Sequence, residues 1–451
     1  MFAGPRKARS PGGHLLARVN SASRVMFCGV VCVILASVTA LSARHSLRPA
    51  RLLPDAASEP RVRQALAQLG VNTATITDEQ VRISEIPAPP FREAARGEYM
   101  AKLLASAGLK VHTDEVGNVV GERTGTSPGD LVMVAAHLDT VFPAGTDVHV
   151  RREDGRLYGP GISDNATGLA ALVAVARAMH DAQIATRSTI LFVADVGEEG
   201  EGNLRGMRKL VETYRKQLRC VIALDGSSTD YVTTAALASR RVEITVTGPG
   251  GHSWSDFGAP NPIHALARGV ARFVKMPVSE NPRTTFNVGE IQGGTSVNSI
   301  PAKASLKVDL RSESETELGK LETRFRESIQ AGVDEENAAS RERGVSAKPL
   351  SVTAAVLGVR PGGELPANSP LLAAVHAADD YLGNRSRIER SSTDANIPLA
   401  AGIPAVSIGA GGRSSGAHSS NESYDPAGRE LGLRRVLLAL LAMAGIDSAA
   451  H

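Results

Sequence analysis

LVMVAAHLD (residues 131–139) and STILFVADVGEEGEG (188–202) are apolar runs that each break off into acids, and ATGLAALVAVARAMHDA (166–182) lies between them. The middle segment carries apolar residues at helical spacing behind an Asp164-Asn165 start, whereas the flanking runs read as buried strands. CVIALD (220–225) reads as another strand of the same kind. Strand, helix, strand in this order predicts an α/β unit with a mostly parallel central sheet covered on both faces.

The style changes near Arg240. RRVEITVTG alternates like a half-buried strand, a helix is expected over Ile263–Val274, and TTFNVGEIQ and KASLKVDLRS are strand-like. A long charged helix follows from Glu313 to about Val333. This β-α-β-β-α-β order is that of a small ferredoxin-like domain with one open sheet face. From about residue 355 the first style resumes, with a helix over Pro370–Leu382, a strand at IPAVSIG and a last helix over Arg429–Ala444. The expectation is an α/β domain (61–238 and 355–446) interrupted by an inserted α+β domain (239–354).

A chain of 451 residues has room for two such domains. Its net charge of +3 is small and no dense Lys/Arg stripe occurs, so nucleic-acid binding is not suggested. Residues 1–24 carry Arg6, Lys7, Arg9, Arg18 and Arg24 without an acid, and Val25–Ala43 is uncharged. That is the layout of an export signal or signal anchor over 1–43, followed by an Arg-, Pro- and Ala-rich linker over 44–60. It predicts a body outside the cytoplasm, periplasmic or secreted, with membrane anchoring as the variant. Cys28 and Cys32 fall in that segment, which leaves Cys220 as an inert buried thiol and no internal disulfide in a mature chain.

The titratable residues collect where strands end. His137 and Asp139 close the first strand, Glu198 and Glu199 follow the second, and Asp225 closes the third. His418 lies in the glycine-rich loop after IPAVSIG, and Asp164 opens the helix. Open parallel sheets build their ligand sites at that edge. Singly, each residue has a plainer reading: Asp164 as a helix N-cap, Asp225 as a turn residue, His418 and the Glu198-Glu199 pair as solvated loop groups. Jointly, imidazoles and carboxylates suit Zn²⁺, and carboxylates can bridge two cations. Such a site polarises a carbonyl and acidifies water, and it needs one carboxylate left free to move the proton. Two adjacent glutamates can divide those tasks.

HLDTVF, GPGISDNATGLAALV, VGEEGEG, ALDG, GPGGHS, the NSIP…DLR stretch and GAHSSNESYD occur in this order over roughly residues 60–446. Together they resemble the M20 metallopeptidase family, which includes tripeptidase, carboxypeptidase G, acetylornithine deacetylase and succinyl-diaminopimelate desuccinylase. The resemblance implies a zinc-dependent exopeptidase-like catalytic domain with an inserted lid and dimerisation domain. It implies His137 and Asp225 on one zinc, Glu199 and His418 on the other, Asp164 bridging both, Asp139 orienting His137, and Glu198 as general base. His252 would stabilise the oxyanion from the partner subunit; Asn298, Arg311 and, in SSTDAN, Thr393 would hold substrate. Plainer alternatives remain at this stage. His252 could cap a turn, Asn298 could sit in one, and Arg311 could pair with Glu290 or Asp309. Glu201 is expected to be solvated, and Trp254 to pack or to touch substrate.

The resulting expectation is an exported, homodimeric hydrolase holding two Zn²⁺ per subunit, with Co²⁺ or Mn²⁺ able to use the same ligands. It would cleave a peptide bond in small peptides through a metal-bridging water activated by Glu198, with exopeptidase action favoured. The alternatives are an N-acyl amino acid deacylase using the same site, and a catalytically silent binding homologue.

Overall fold

Leu131–His137 and Thr189–Asp195 are strands buried at every position after the first, which is why both read as continuous apolar runs. They pair in parallel from Leu131↔Thr189 to His137↔Asp195. Leu218–Leu224 pairs in parallel on the other side of Leu131–His137, and Ala405–Ile408 continues in parallel beside it. The flanks turn antiparallel. Val119–Arg123 and Lys110–Thr113 extend one edge, and Tyr231–Ala236 joins the other, where Arg387–Ser391 runs parallel to it. The sheet is therefore mixed, with a block of four parallel strands in the middle.

The structure, a computed structural model, describes residues 57–447 except Pro128. The expected export segment lies outside the described residues, as does most of the expected linker; its last residue, Pro60, already opens the helix Pro60–Val71. No helix among the described residues is long and apolar enough to cross a membrane.

The helix Ala166–Asp181 is buried almost all round, between the sheet and the helices Pro60–Val71 and Thr73–Ser84. The last helix, Arg429–Ala444, lies against Pro370–Leu382, and a buried ion pair joins them: Arg435 Nε is 2.7 Å from Asp379 Oδ1. Ser386 Oγ, Asn384 Nδ2 and Arg435 Nη2 donate to the Asp379 carboxylate, which is how that buried charge is partnered. Cys220 is fully buried, and burial pushes its thiol up to about 12, which keeps it inert.

The inserted unit is a four-stranded antiparallel sheet in the order Thr284–Gly293, Lys303–Ser312, Ala238–Thr247, Ser351–Arg360. Val242, Ile244, Val246, Leu306, Val308 and Leu310 alternate inward beneath the helices Pro262–Phe273 and Glu315–Glu342, where Phe273, Phe286 and Phe325 meet ring to ring. Ser314 caps the longer helix by accepting from Glu317 N, a Ser-x-x-Glu start. That helix runs past the expected end near Val333 because its buried side turns polar but stays partnered: Glu336 accepts from Arg268 Nε at 3.2 Å and Asn261 N at 3.3 Å. Ser351–Arg360 likewise carries the inserted sheet past residue 354, as far as the pair Arg360↔Ser239.

Candidate metal centre

The three parallel strand ends and the loop after Ala405–Ile408 deliver their acids and histidines to one place. His137 Nε2 lies 3.2 Å from Asp164 Oδ1 and 4.0 Å from Asp225 Oδ1. His418 Nε2 lies 2.9 Å from Asp164 Oδ2 and 3.1 Å from Glu199 Oε1. His137, Asp164 and Asp225 thus form one cluster, Asp164, Glu199 and His418 a second, and within each the ligand atoms all lie within 4.8 Å of one another. Asp164 belongs to both.

Asp164 is free for this because its neighbour does the capping. Asn165 Oδ1 accepts from Gly168 N at 3.2 Å, and Asn165 Nδ2 donates to Leu224 O at 2.8 Å, tying the helix start to the strand that ends beside Asp225. The N-cap reading of Asp164 is therefore overturned. Asp164 Oδ1 is buried and has no hydrogen-bond partner among the described residues. A carboxylate that turns one oxygen toward each of two mixed oxygen and imidazole sets is a donor arrangement suited to a pair of divalent cations, so the residues fit such ions.

Asp139 does more than orient an imidazole. His137 Nδ1 sits 3.0 Å from the backbone carbonyl of Asp139, while the Asp139 carboxylate is 3.8 Å away. That carboxylate instead accepts from Glu198 N at 3.0 Å and Glu199 N at 2.8 Å. One residue therefore sets the ring with its main chain and the Glu198-Glu199 turn with its side chain. Glu199 faces the second cluster. Glu198 belongs to neither and points elsewhere: Arg360 Nη1 donates to its Oε1 at 2.9 Å. The side chains of the pair diverge, as the division of labour requires.

Protons and charges in the metal-free centre follow from this packing. Burial pushes Asp225 up to about 8, with the negative Asp164 adding to it. Hydrogen bonds to Asp164 and Glu199 push His418 up to about 10. Burial works against a charged His137, yet Asp164 holds that ring well above the usual imidazole range. Burial would raise Asp164 too, but the His137 and His418 imidazoles beside its two oxygens keep it well below the ordinary carboxylate range. Burial raises Glu198, with Arg360 opposing. At pH 7, which lies below about 8 and about 10, Asp225 and His418 both hold protons that a cation must displace. Metal uptake should therefore release protons, and affinity should weaken as pH falls. Calorimetric titration of zinc in two buffers of different ionisation enthalpy checks this; equal heats in both would contradict it.

Glu422, in the GAHSSNESYD segment, has no role that the sequence indicates, yet it is fully buried under the Asp164 loop. Its Oε1 accepts from Ser163 N and Asp164 N at 2.8 and 2.9 Å and from Ser163 Oγ at 2.7 Å, and its Oε2 from Gly161 N at 2.8 Å. Glu422→Ala would leave those donors buried and unpaired, at about 1–3 kcal/mol each before relaxation. A lower Tm together with roughly 10–100-fold weaker metal binding is expected, since this carboxylate aims a ligand. Thermal melts and metal titration of the variant would show it.

The family profile described as Peptidase family M20/M25/M40 matches residues 133–442. The chain belongs to this family. It is 29% identical to a succinyl-diaminopimelate desuccinylase of Burkholderia lata over 239 residues, 48% of this chain and 62% of the relative. A second such enzyme, from Burkholderia multivorans, is 30% identical over 240 residues, again covering 48% and 62%. The matches thus span less than two thirds of these relatives' length. Among solved structures, the tripeptidase from Staphylococcus aureus superposes with a TM-score of 0.65 at 22% identity, covering 83% of this chain and 99% of that one. The di-peptidase Dug1p of Saccharomyces cerevisiae gives 0.67 at 14% identity, covering 85% and 98%. At such identities the likeness shows the fold alone, an α/β domain interrupted by an inserted α+β domain.

The other residues expected at such a site have these partners within the subunit. His252 sits in the small ribbon formed by Gly251–His252 and Ser299–Ile300, Asn298 in the turn just before it, and both are exposed. His252 Nδ1 accepts from Trp254 N at 3.2 Å, and Asn298 O accepts from Ser253 N at 3.0 Å, so within this subunit both serve turns. Arg311 Nε donates to Asp309 Oδ2 at 2.7 Å, whereas Glu290 pairs with Lys307. Thr393 is buried and its hydroxyl accepts from Ala395 N at 3.2 Å. Glu201 is solvated as expected. Trp254 does not pack: it is 86% exposed.

Proposed function

We propose that this chain is a di-zinc hydrolase that cleaves an amide bond in small peptides, with exopeptidase action favoured. The observation that carries the reading is a pair of three-ligand clusters sharing Asp164, with Glu198 beside them and outside both. His137, Asp164 and Asp225 would hold one cation and Asp164, Glu199 and His418 the other. Two divalent cations bound there supply Lewis acidity to the scissile carbonyl and the attacking water. Glu198 takes the water's proton and returns it to the leaving amine nitrogen, so the carboxylate ends as it began. Asp139 holds the Glu198-Glu199 turn through two amides, keeping base and ligand in fixed relation.

The substrate would dock between the cluster and the inserted sheet, with Arg311 gripping a substrate carboxylate after giving up Asp309. His252 and Asn298 are exposed, as residues that act on a partner subunit's substrate must be, and Trp254, Phe257 and Val297 expose apolar surface beside them. These features support a homodimer formed through the inserted domain; sedimentation analysis would contradict it by finding only monomer at micromolar concentration.

A second reading has a specific observation behind it. The matched curated relatives are desuccinylases, which supports an N-acyl amino acid deacylase using the same residues. Zinc-loaded protein incubated with di- and tripeptides, N-blocked peptides and N-acyl amino acids, read by mass spectrometry, separates the two. Release of amino acids from free peptides supports the peptidase; release of a carboxylic acid from N-acyl substrates alone supports the deacylase. Binding without turnover across the panel would sink both.

A further inference from the structure

Arg360 is the last residue of the strand Ser351–Arg360, at the point where the inserted sheet returns to the catalytic part of the chain. It is only 6% exposed and sits behind Glu198. Nη1 donates to Glu198 Oε1 at 2.9 Å and to Ser392 Oγ at 3.0 Å, and Nη2 donates to the Glu198 backbone carbonyl. One guanidinium therefore holds both the side chain and the main chain of the same residue. Its own position is fixed from the other side. Val359 N donates to Asn203 Oδ1 at 3.0 Å, and Val359 O accepts from Arg208 Nη2. Arg241, on the adjoining strand, donates to Gly200 O.

We infer that Arg360 is a positioning residue for Glu198: it commits Oε1, leaves Oε2 for proton transfer, and ties the base to the root of the inserted sheet. The inference rests on the proposed role of Glu198 and adds to it. Ligand positions are set by other groups, namely Asp139, Asn165 and Glu422, so Arg360 governs where the base stands and not whether metal binds. Its burial also separates it from a substrate-gripping arginine, which must present its fork to solvent. A planar fork can hold two acceptors at once, whereas an ammonium offers a single point of charge. Arg360→Lys should therefore keep the charge and lose the two-point grip.

The test uses zinc-loaded full-length protein and the substrate identified by the panel above. Arg360→Ala should lower kcat by about 100-fold, the scale expected when a reacting group is misplaced by about 1 Å, with KM and zinc content little changed. Arg360→Lys should recover part of that loss. In a Glu198→Gln background, Arg360→Ala should cost almost nothing further, because there is no base left to position. A purely structural arginine would show additive losses. Unchanged kcat in Arg360→Ala, a rise in KM alone, or zinc loss or unfolding in both the Ala and Lys variants would overturn the proposal. Full activity of Glu198→Gln would instead overturn the role of Glu198 itself, so the two failures are distinguishable.

Discussion

Glu198→Gln is expected to lower kcat by about 10²–10⁴-fold while the protein keeps both metals. The argument is geometric. Glu198 lies outside both ligand clusters, and its amide, not its carboxylate, is what Asp139 holds. Glutamine keeps the acceptor that Arg360 Nη1 uses and fills the same volume, so the turn that presents Glu199 should survive. What disappears is the ability to accept a proton. Metal analysis by mass spectrometry beside steady-state kinetics decides the matter: retained turnover means another base, and lost metal means that Glu198 is itself a ligand.

Asp164→Ala should have the opposite signature, losing metal and turnover together. Asp164 is the one residue common to both clusters, with Oδ1 beside His137 and Oδ2 beside His418. Removing it would leave each proposed cation with two protein ligands, fewer than the three that catalytic zinc sites usually have. Stoichiometry should fall from two towards zero, and activity to background. Glu199→Ala is the control, since it strips one cluster and leaves His137, Asp164 and Asp225 intact; about one metal should remain. Equal stoichiometry in the two variants would show that Asp164 does not bridge.

Both predictions depend on telling neighbouring acids apart, and the sequence allowed this unevenly. Strands and ligand types were legible because a strand buried on two faces is apolar at every position, and the first acids after it must stand at the sheet edge. The split between Glu198 and Glu199 was available from the family resemblance, whereas its physical cause, the Asp139 clamp on both amides, was not. Asp164 and Asn165 look interchangeable as helix caps on paper; only the packing shows Asn165 taking that task.

Glu422 and Arg360 were missed for one reason. Their partners lie 258 and 162 residues away, at Asp164 and Glu198, and neither periodicity nor a local motif reports contacts at such separations. A signal did exist for Glu422, a glutamate inside a segment already singled out for His418. None marked Arg360, one of many arginines near a strand end. The order of strands and helices, and the chemical groups at their ends, can be read from the residue pattern because burial and backbone geometry act locally. The tertiary structure alone decided which of those oxygens stay free for a cation or a proton and which are consumed by buried amides and a guanidinium, because that depends on distant segments meeting.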